Sequence, residues 1–162
     1  NSYSEYCTIS GDGRYIAFSS AADNLVAGDT NKMEDVFVHD QQTGDTTRVS
    51  IGTGGSQALN GYYGSYSAHI SDDARYVSFT SDCTNLVPGD TNGKGDVFVH
   101  DRNTGVTSRI SISTDGAQAN DDSFVPWGVS KGRFFGVCSK ATNLVQGMTN
   151  SVWDIYVHEL KL

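Results

Sequence analysis

The chain has 162 residues, a formal net charge of −8 and a hydrophobic fraction of 37%. That length suits one ordinary domain or a few repeats; the charge excludes nucleic acid as a partner, because backbone binding needs clustered Lys and Arg; and no apolar run approaches the ~20 residues that cross a bilayer. With 18 glycines and only two prolines, the composition predicts short strands joined by tight turns, an all-β fold.

In chain order, the first predicted strand is "YCTIS", ending at Ser10. The turn "SGDGR" follows, with Asp12-Gly13 as a hairpin signal. "RYIAFSS" then places Ile16 and Phe18 on one face and Tyr15, Ala17 and Ser19 on the other, the period-2 pattern of a half-buried strand. A loop rich in Asp and Asn, "GDTNKMED", leads into the strand "DVFVHD", and the Gly turn "QQTGD" leads into a fourth strand, "TTRVSIG". A long link then reaches "SYSAHIS", where the series starts again. "SDDARYVSFTS", "GDTNGKGD", "DVFVHD" and "TSRISIS" are the second set; "SKGRFFGVCS", "GMTNSVWD" and "DIYVHE" are a worn third. Asp35 and Asp96 stand 61 residues apart, and Asp96 and Asp154 stand 58 apart.

Four-stranded antiparallel units in tandem describe the blades of a β-propeller. The expected division is one domain, residues 1–162, with blade 1 at about 1–61, blade 2 at about 62–122 and blade 3 at about 123–162. Only Leu160, Lys161 and Leu162 follow "DIYVHE", so the third blade is expected to lack its outer strand. Propellers close with roughly four to eight blades. A homodimer of two three-bladed chains would supply six; the rival expectation is that the chain is a fragment of a longer propeller.

"S-x-D-G-R-Y-x-A-F-S-S", followed by "D-V-F-V-H-D" and "T-x-R-V-S", resembles the WD-like propeller repeat of the TolB-like kind. The first two units carry the likeness. The third departs from it where Lys131 replaces the turn Asp and Gly136 and Val137 replace the "AF" pair. The resemblance implies a propeller fold, an extracytoplasmic (periplasmic or secreted) location and a binding or scaffolding role. It implies no chemistry, since function sits in sites grafted onto a fold.

The repeated loop has two readings. Asp29, Asn31 and Asp35, and again Asp90, Asn92 and Asp96, fall at loop positions one, three and seven, a spacing that can gather oxygen ligands for calcium. Asp40 and Asp101 stand at position twelve, but the intervening strand carries them ~13 Å away at ~3.3 Å per residue, leaving three side-chain ligands and modest affinity. Alternatively the loop is a corner whose Asx side chains bond nearby backbone. Met148 at the first position of the third copy argues against calcium there.

His39, His100 and His158 recur with the fold and read as structural residues bonded to a neighbouring blade. Arg14, Arg75 and Arg133 read as partners of turn acids such as Asp12 and Asp73, and Arg48 and Arg109 read the same way. Cys7, Cys83 and Cys138 lack metal-site spacing and read as small apolar residues. No nucleophile elbow, phosphate loop or zinc motif occurs.

The candidate ligand surface consists of aromatics in or just before the innermost strands: Tyr6, Tyr62, Tyr63, Tyr66 and Trp127, with the non-repeated His69. Aromatics beside polar groups suit a sugar or a peptide. The expectation is therefore a non-catalytic binding or scaffold module. The alternative is a carbohydrate hydrolase or lyase with its site at the axial end of the propeller, since a spatial pair of carboxylates is invisible in sequence.

Overall fold

The computed structural model describes residues 1–125 and 134–160. Three antiparallel sheets follow one another along the chain. The first is β1 (Ser4–Ile9), β2 (Tyr15–Ser20), β3 (Asp35–Asp40) and β4 (Thr46–Arg48), in that spatial order. The second is β5 (Ser65–Ile70), β6 (Tyr76–Ser81), β7 (Asp96–Asp101) and β8 (Val106–Arg109). The third has three strands among the described residues, β9 (Ser123–Phe124), β10 (Phe134–Ser139) and β11 (Asp154–Glu159). This is the blade arrangement expected from the repeats.

The β1–β2 turn shows why the repeated "S-x-D-x-R-Y" recurs. The Ser10 hydroxyl donates to Asp12, and Asp12 Oδ1 accepts the backbone N–H of Arg14 at 3.0 Å. Ser10 Oγ also accepts the N–H of Tyr15 at 3.0 Å. Gly13 sits at φ 75°, a left-handed conformation that glycine adopts without steric cost. Ser71, Asp73, Arg75 and Tyr76 repeat every one of these bonds.

Arg14 and Arg75 do not join the turn acids Asp12 and Asp73, as the sequence suggested, and Arg133 lies outside the described residues. Arg14 Nη2 lies 2.6 Å from Asp40 Oδ2, and Arg75 Nη2 lies 2.8 Å from Asp101 Oδ2. The strand registers decide this, because β2–β3 sets Tyr15 opposite Asp40 and β6–β7 sets Tyr76 opposite Asp101. Each Asp carboxyl is held below the ordinary carboxylate range, chiefly by its hydrogen bonds from the arginine.

The core lies between blades. Val36 and Val38 of β3 pack with Ala68, Ile70, Val77 and Phe79 of the second sheet. Val97 and Val99 of β7 pack in turn with Val125, Phe135 and Val137. Cys83 is buried in the first of these clusters and Cys138 is also buried, whereas Cys7 is exposed, contrary to the expectation that all three would be packed. The equivalent residues of β11, Ile155 and Val157, are 63% and 72% exposed, against 0–2% for Val36, Val38, Val97 and Val99. The third blade thus presents a bare copy of the face that its predecessors bury.

His39 and His100 each bond a threonine of their own blade rather than a group of a neighbour. His39 Nδ1 meets Thr46 Oγ1 at 3.0 Å, and His100 Nδ1 meets Thr107 Oγ1 at 2.9 Å. The Thr107 hydroxyl then donates to the carbonyl of Ile51 in the preceding unit.

Candidate functional site

The Asx corners come together as the spacing suggested, but around an arginine. Asp35 is fully buried, and Ser50 donates its hydroxyl to Asp35 Oδ1. Asn31 Nδ2 donates to Asp35 Oδ2 at 2.9 Å and to the Ala58 carbonyl at 3.2 Å. Arg48 Nη1 stands 3.1 Å from Asp35 Oδ2 and 3.0 Å from Asp29 Oδ1. The second corner repeats this with Asn92, Ser111 and Arg109, whose Nη1 is 3.3 Å from Asp96 Oδ2 and 3.2 Å from Asp90 Oδ1. The Asp29 and Asp90 oxygens lie at ion-pair distance without hydrogen-bond geometry. Burial is the main influence raising the carboxyls of Asp29, Asp90 and Asp96 above their ordinary range.

The two complete corners thus share one arrangement around a guanidinium. In each corner the Asn turns its amide nitrogen toward the inner carboxylate, and a fixed positive charge lies between the two Asp side chains. The β3–β4 register, which sets Phe37 opposite Arg48, delivers that arginine from 13 residues downstream. In the third corner Asp154 is only half-buried and has no side-chain hydrogen bond or ion pair among the described residues.

β1 and β5 lie side by side. The Thr8 hydroxyl donates to the Ala68 carbonyl and accepts from the Ile70 N–H. These contacts mark the inner side of the blades. Both strands bulge at the same place, and the bulge residues Tyr6 and Ser67 adopt left-handed φ values of 50° and 55°. Tyr6 is thereby turned outward and is exposed. Tyr66 is half-buried, and burial raises its phenol pKa, with Asp82, Asp122 and Glu34 adding to the effect. His69 lies three residues along β5. Burial lowers its imidazole pKa, and Nδ1 has no hydrogen-bond partner among the described residues. Trp127 lies outside the described residues.

Tyr66 has neighbours that sequence reasoning missed. Asp82 accepts the successive backbone N–H groups of Tyr62, Tyr63 and Gly64 at 2.7, 3.0 and 2.9 Å, fixing the segment that presents both tyrosines. Tyr62 and Tyr63 are largely exposed and meet edge to face, with centroids 4.8 Å apart. Glu34 bridges to Gly64, donating its N–H to the Tyr63 carbonyl and accepting from the Ser65 N–H. Its Oε2 lies 3.4 Å from the hydroxyl of Tyr3, and its buried Oε1 has no hydrogen-bond partner among the described residues. Desolvation is the main cause lifting the Glu34 carboxyl above its ordinary range. One signal could have found it: the residue before the repeated strand Asp is Glu34, Gly95 and Trp153 in the three units, the variable position in an otherwise repeated corner.

No family model and no curated protein matches the chain. Solved structures do. A putative TolB from Agrobacterium tumefaciens aligns over 98% of this chain and 43% of its own, at 17% identity and a TM-score of 0.54. The fold is that of a TolB-like β-propeller. The β-propeller domain of the Trilobed protease from Pyrococcus furiosus aligns over 96% of this chain and 40% of its own, at 17% identity and a TM-score of 0.51. The tricorn protease aligns over 96% of this chain and 12% of its own, at 13% identity and a TM-score of 0.50. This chain therefore spans less than half of each of these propeller-containing chains. At such identities the likeness gives the fold and leaves function to the residues of the TolB-like blades themselves.

Proposed function

We propose that the chain is a non-catalytic binding or scaffold module of extracytoplasmic type, and that its ligand is a peptide or a carbohydrate. The observation that carries this reading is the cluster at one end of the inner strands, where Tyr3, Tyr62 and Tyr63 are exposed beside Glu34 and Tyr66. Tyrosine offers an apolar ring with a polar tip and little rotamer entropy to lose, so it suits a sugar face or a peptide side chain. The carboxylates of Glu34 and Glu5 and the net charge of −8 favour neutral or basic ligands. Calorimetric titration with oligosaccharides and with basic peptides tests this. One class should bind, and Tyr63→Ala should weaken it by about tenfold. Unchanged affinity in Tyr63→Ala and Tyr66→Ala would move the site elsewhere.

One feature favours the rival reading, a carbohydrate hydrolase or lyase. Glu34 is lifted by burial, and Glu5 is close enough to add to that shift. A raised acid beside a second carboxylate is what glycoside cleavage uses. Reducing-sugar release that disappears in Glu34→Gln would establish the enzyme.

For the repeated corners we propose that Arg48 and Arg109 supply the positive charge that the sequence pattern assigned to calcium. An added ion would then have no preference for the folded state, and calcium should leave the melting temperature unchanged. A rise that Asp29→Ala and Asp90→Ala remove would restore calcium to the corners.

A further inference from the structure

We propose, resting on the binding reading above, that the ligand of the tyrosine cluster is a basic peptide, and that one of its arginine or lysine side chains enters the cluster as the counter-charge to Glu34. The blades mark this end as the place where they differ. A pair of serine hydroxyls joins the inner strand to its neighbour in all three blades, Ser4 to Ser20 at 2.9 Å, Ser65 to Ser81 at 3.0 Å and Ser123 to Ser139 at 2.8 Å. Yet the residue after the first serine is Glu5, Tyr66 and Phe124 in turn, and the residue before the corner Asp is Glu34, Gly95 and Trp153. One bridge brings the two positions together across blades: the Ser65 N–H donates to the Glu34 carbonyl, and the Ser123 N–H to the Gly95 carbonyl, both at 2.7 Å. A framework that repeats while the side chains it presents change is how a fold carries a site.

The charges that act on the cluster have one sign. The Tyr3 phenol is raised first by the Glu34 carboxylate, with burial and Glu5 adding to it. Tyr66 is raised by burial and then by Asp82, Asp122 and Glu34. Glu5, Glu34, Asp82 and Asp122 form no ion pair among the described residues, whereas Asp40, Asp96 and Asp101 each hold an arginine. Asp82 accepts three backbone N–H groups, which orient its carboxylate without neutralising it. A neutral sugar could stack on the tyrosines, but covering them would bury Glu34 further with nothing to balance it. A cationic side chain meets both needs, because a tyrosine ring attracts a cation to its face and the carboxylates supply the opposite charge.

The third unit shows the same arrangement already filled from within the chain. Phe124 and Trp153 stand at the two varying positions, with ring centroids 4.8 Å apart, and Lys140 Nζ lies 4.7 Å from the Trp153 centroid. Lys140 occupies the place that Asp82 holds in the second unit. The tyrosine cluster has exposed rings and carboxylates but no cation of its own over them among the described residues. A ligand's arginine or lysine would take the place that Lys140 takes on Trp153.

The test titrates the 162-residue chain with three probes: tetra-arginine and tetraserine peptides, both acetylated and amidated, and chitohexaose. Tetra-arginine is expected to bind and the two neutral probes are not. Glu34→Gln should weaken tetra-arginine by about tenfold, and Glu5→Gln, at an exposed residue, by a few-fold. The second variant keeps the test valid even if the first folds poorly. Asp45→Asn, at the exposed β3–β4 turn away from the cluster, should leave the affinity unchanged. Full affinity in both glutamate variants would overturn the proposal. An equal loss in Asp45→Asn would do so too, because attraction to the overall negative charge would then explain the binding. Chitohexaose that binds the parent and Glu34→Gln alike, but not Tyr63→Ala, would overturn the basic peptide and leave the binding reading standing. No binding of any probe would count against both.

Discussion

The residues that most shape this protein are acids held in two opposite ways. Asp96 is fully buried beneath Arg109, Ser111 and Asn92, so Asp96→Ala would strip the buried guanidinium of one of its two carboxylates, leaving only Asp90, and would leave Ser111 and Asn92 without their shared acceptor. Breaking such a pair by removing one partner costs about 3–5 kcal/mol, and denaturant titration should show a loss of that size. Asp101 lies at the surface end of the same strand, and its pKa is lowered first by the hydrogen bonds from Arg75. A depressed folded pKa means the pair stabilises above the ordinary carboxylate pKa of about 3.9 and is lost as pH falls through the folded value. Asp90 and Asp96 have raised folded values, so their effect has the opposite sign: they favour the folded state at low pH and lose that effect as pH rises through those values. The melting temperature of Asp101→Asn should lie below the parent at pH 6, and the gap should close below about pH 4. A gap that stays constant to pH 3 would remove Arg75–Asp101 as its cause. The Asx spacing was visible in sequence; the cation at its centre was not, because the arginine arrives through strand register.

Among the elements, legibility followed chemistry. β2, β3, β6 and β7 alternate or carry β-branched and aromatic residues, and the structure has them where the pattern put them. The bulges in β1 and β5 were invisible, since no residue type announces a left-handed Tyr6 or Ser67. The bridge from Glu34 to Gly64 was equally hidden, although it joins one blade's corner to the next blade's first strand and places Glu34 beside Tyr63. Gly64 has φ 99°, and a Cβ there would stand 2.4 Å from the Glu34 carbonyl oxygen. Gly64→Ala therefore combines a left-handed penalty of about 1–2 kcal/mol with a backbone clash. It should destabilise the chain by at least that amount and should also weaken ligand binding at the tyrosine cluster. Full affinity in a destabilised Gly64→Ala protein would show that the bridge supports the fold alone.

At the scale of the molecule, the three repeats were readable because each blade uses the same turn, corner and strand residues. What the array does with its two ends depends on surfaces that no local pattern describes. Ile155 and Val157 are bare at one end, while Tyr6 and Ile9 are exposed at the other. Within the chain, the counterparts of Ile155 and Val157 are buried against the following blade, and Ile70, the counterpart of Ile9, is buried against the preceding one. Each end therefore carries one half of an interface that the molecule already builds twice. A contact joining unlike surfaces closes into a ring when its rotation allows, and two chains of three blades would make six, inside the range that propellers adopt. The dimer we propose on this basis should scatter light as a mass near twice 17.4 kDa. Val157→Asp places a charge in the centre of the proposed contact and touches no packed core, so it should yield a folded monomer with an unchanged strand signature in circular dichroism. A parent chain that is already a stable monomer at micromolar concentration would leave those faces without the partner proposed for them. A Val157→Asp chain that still runs as a dimer would place the interface on another surface.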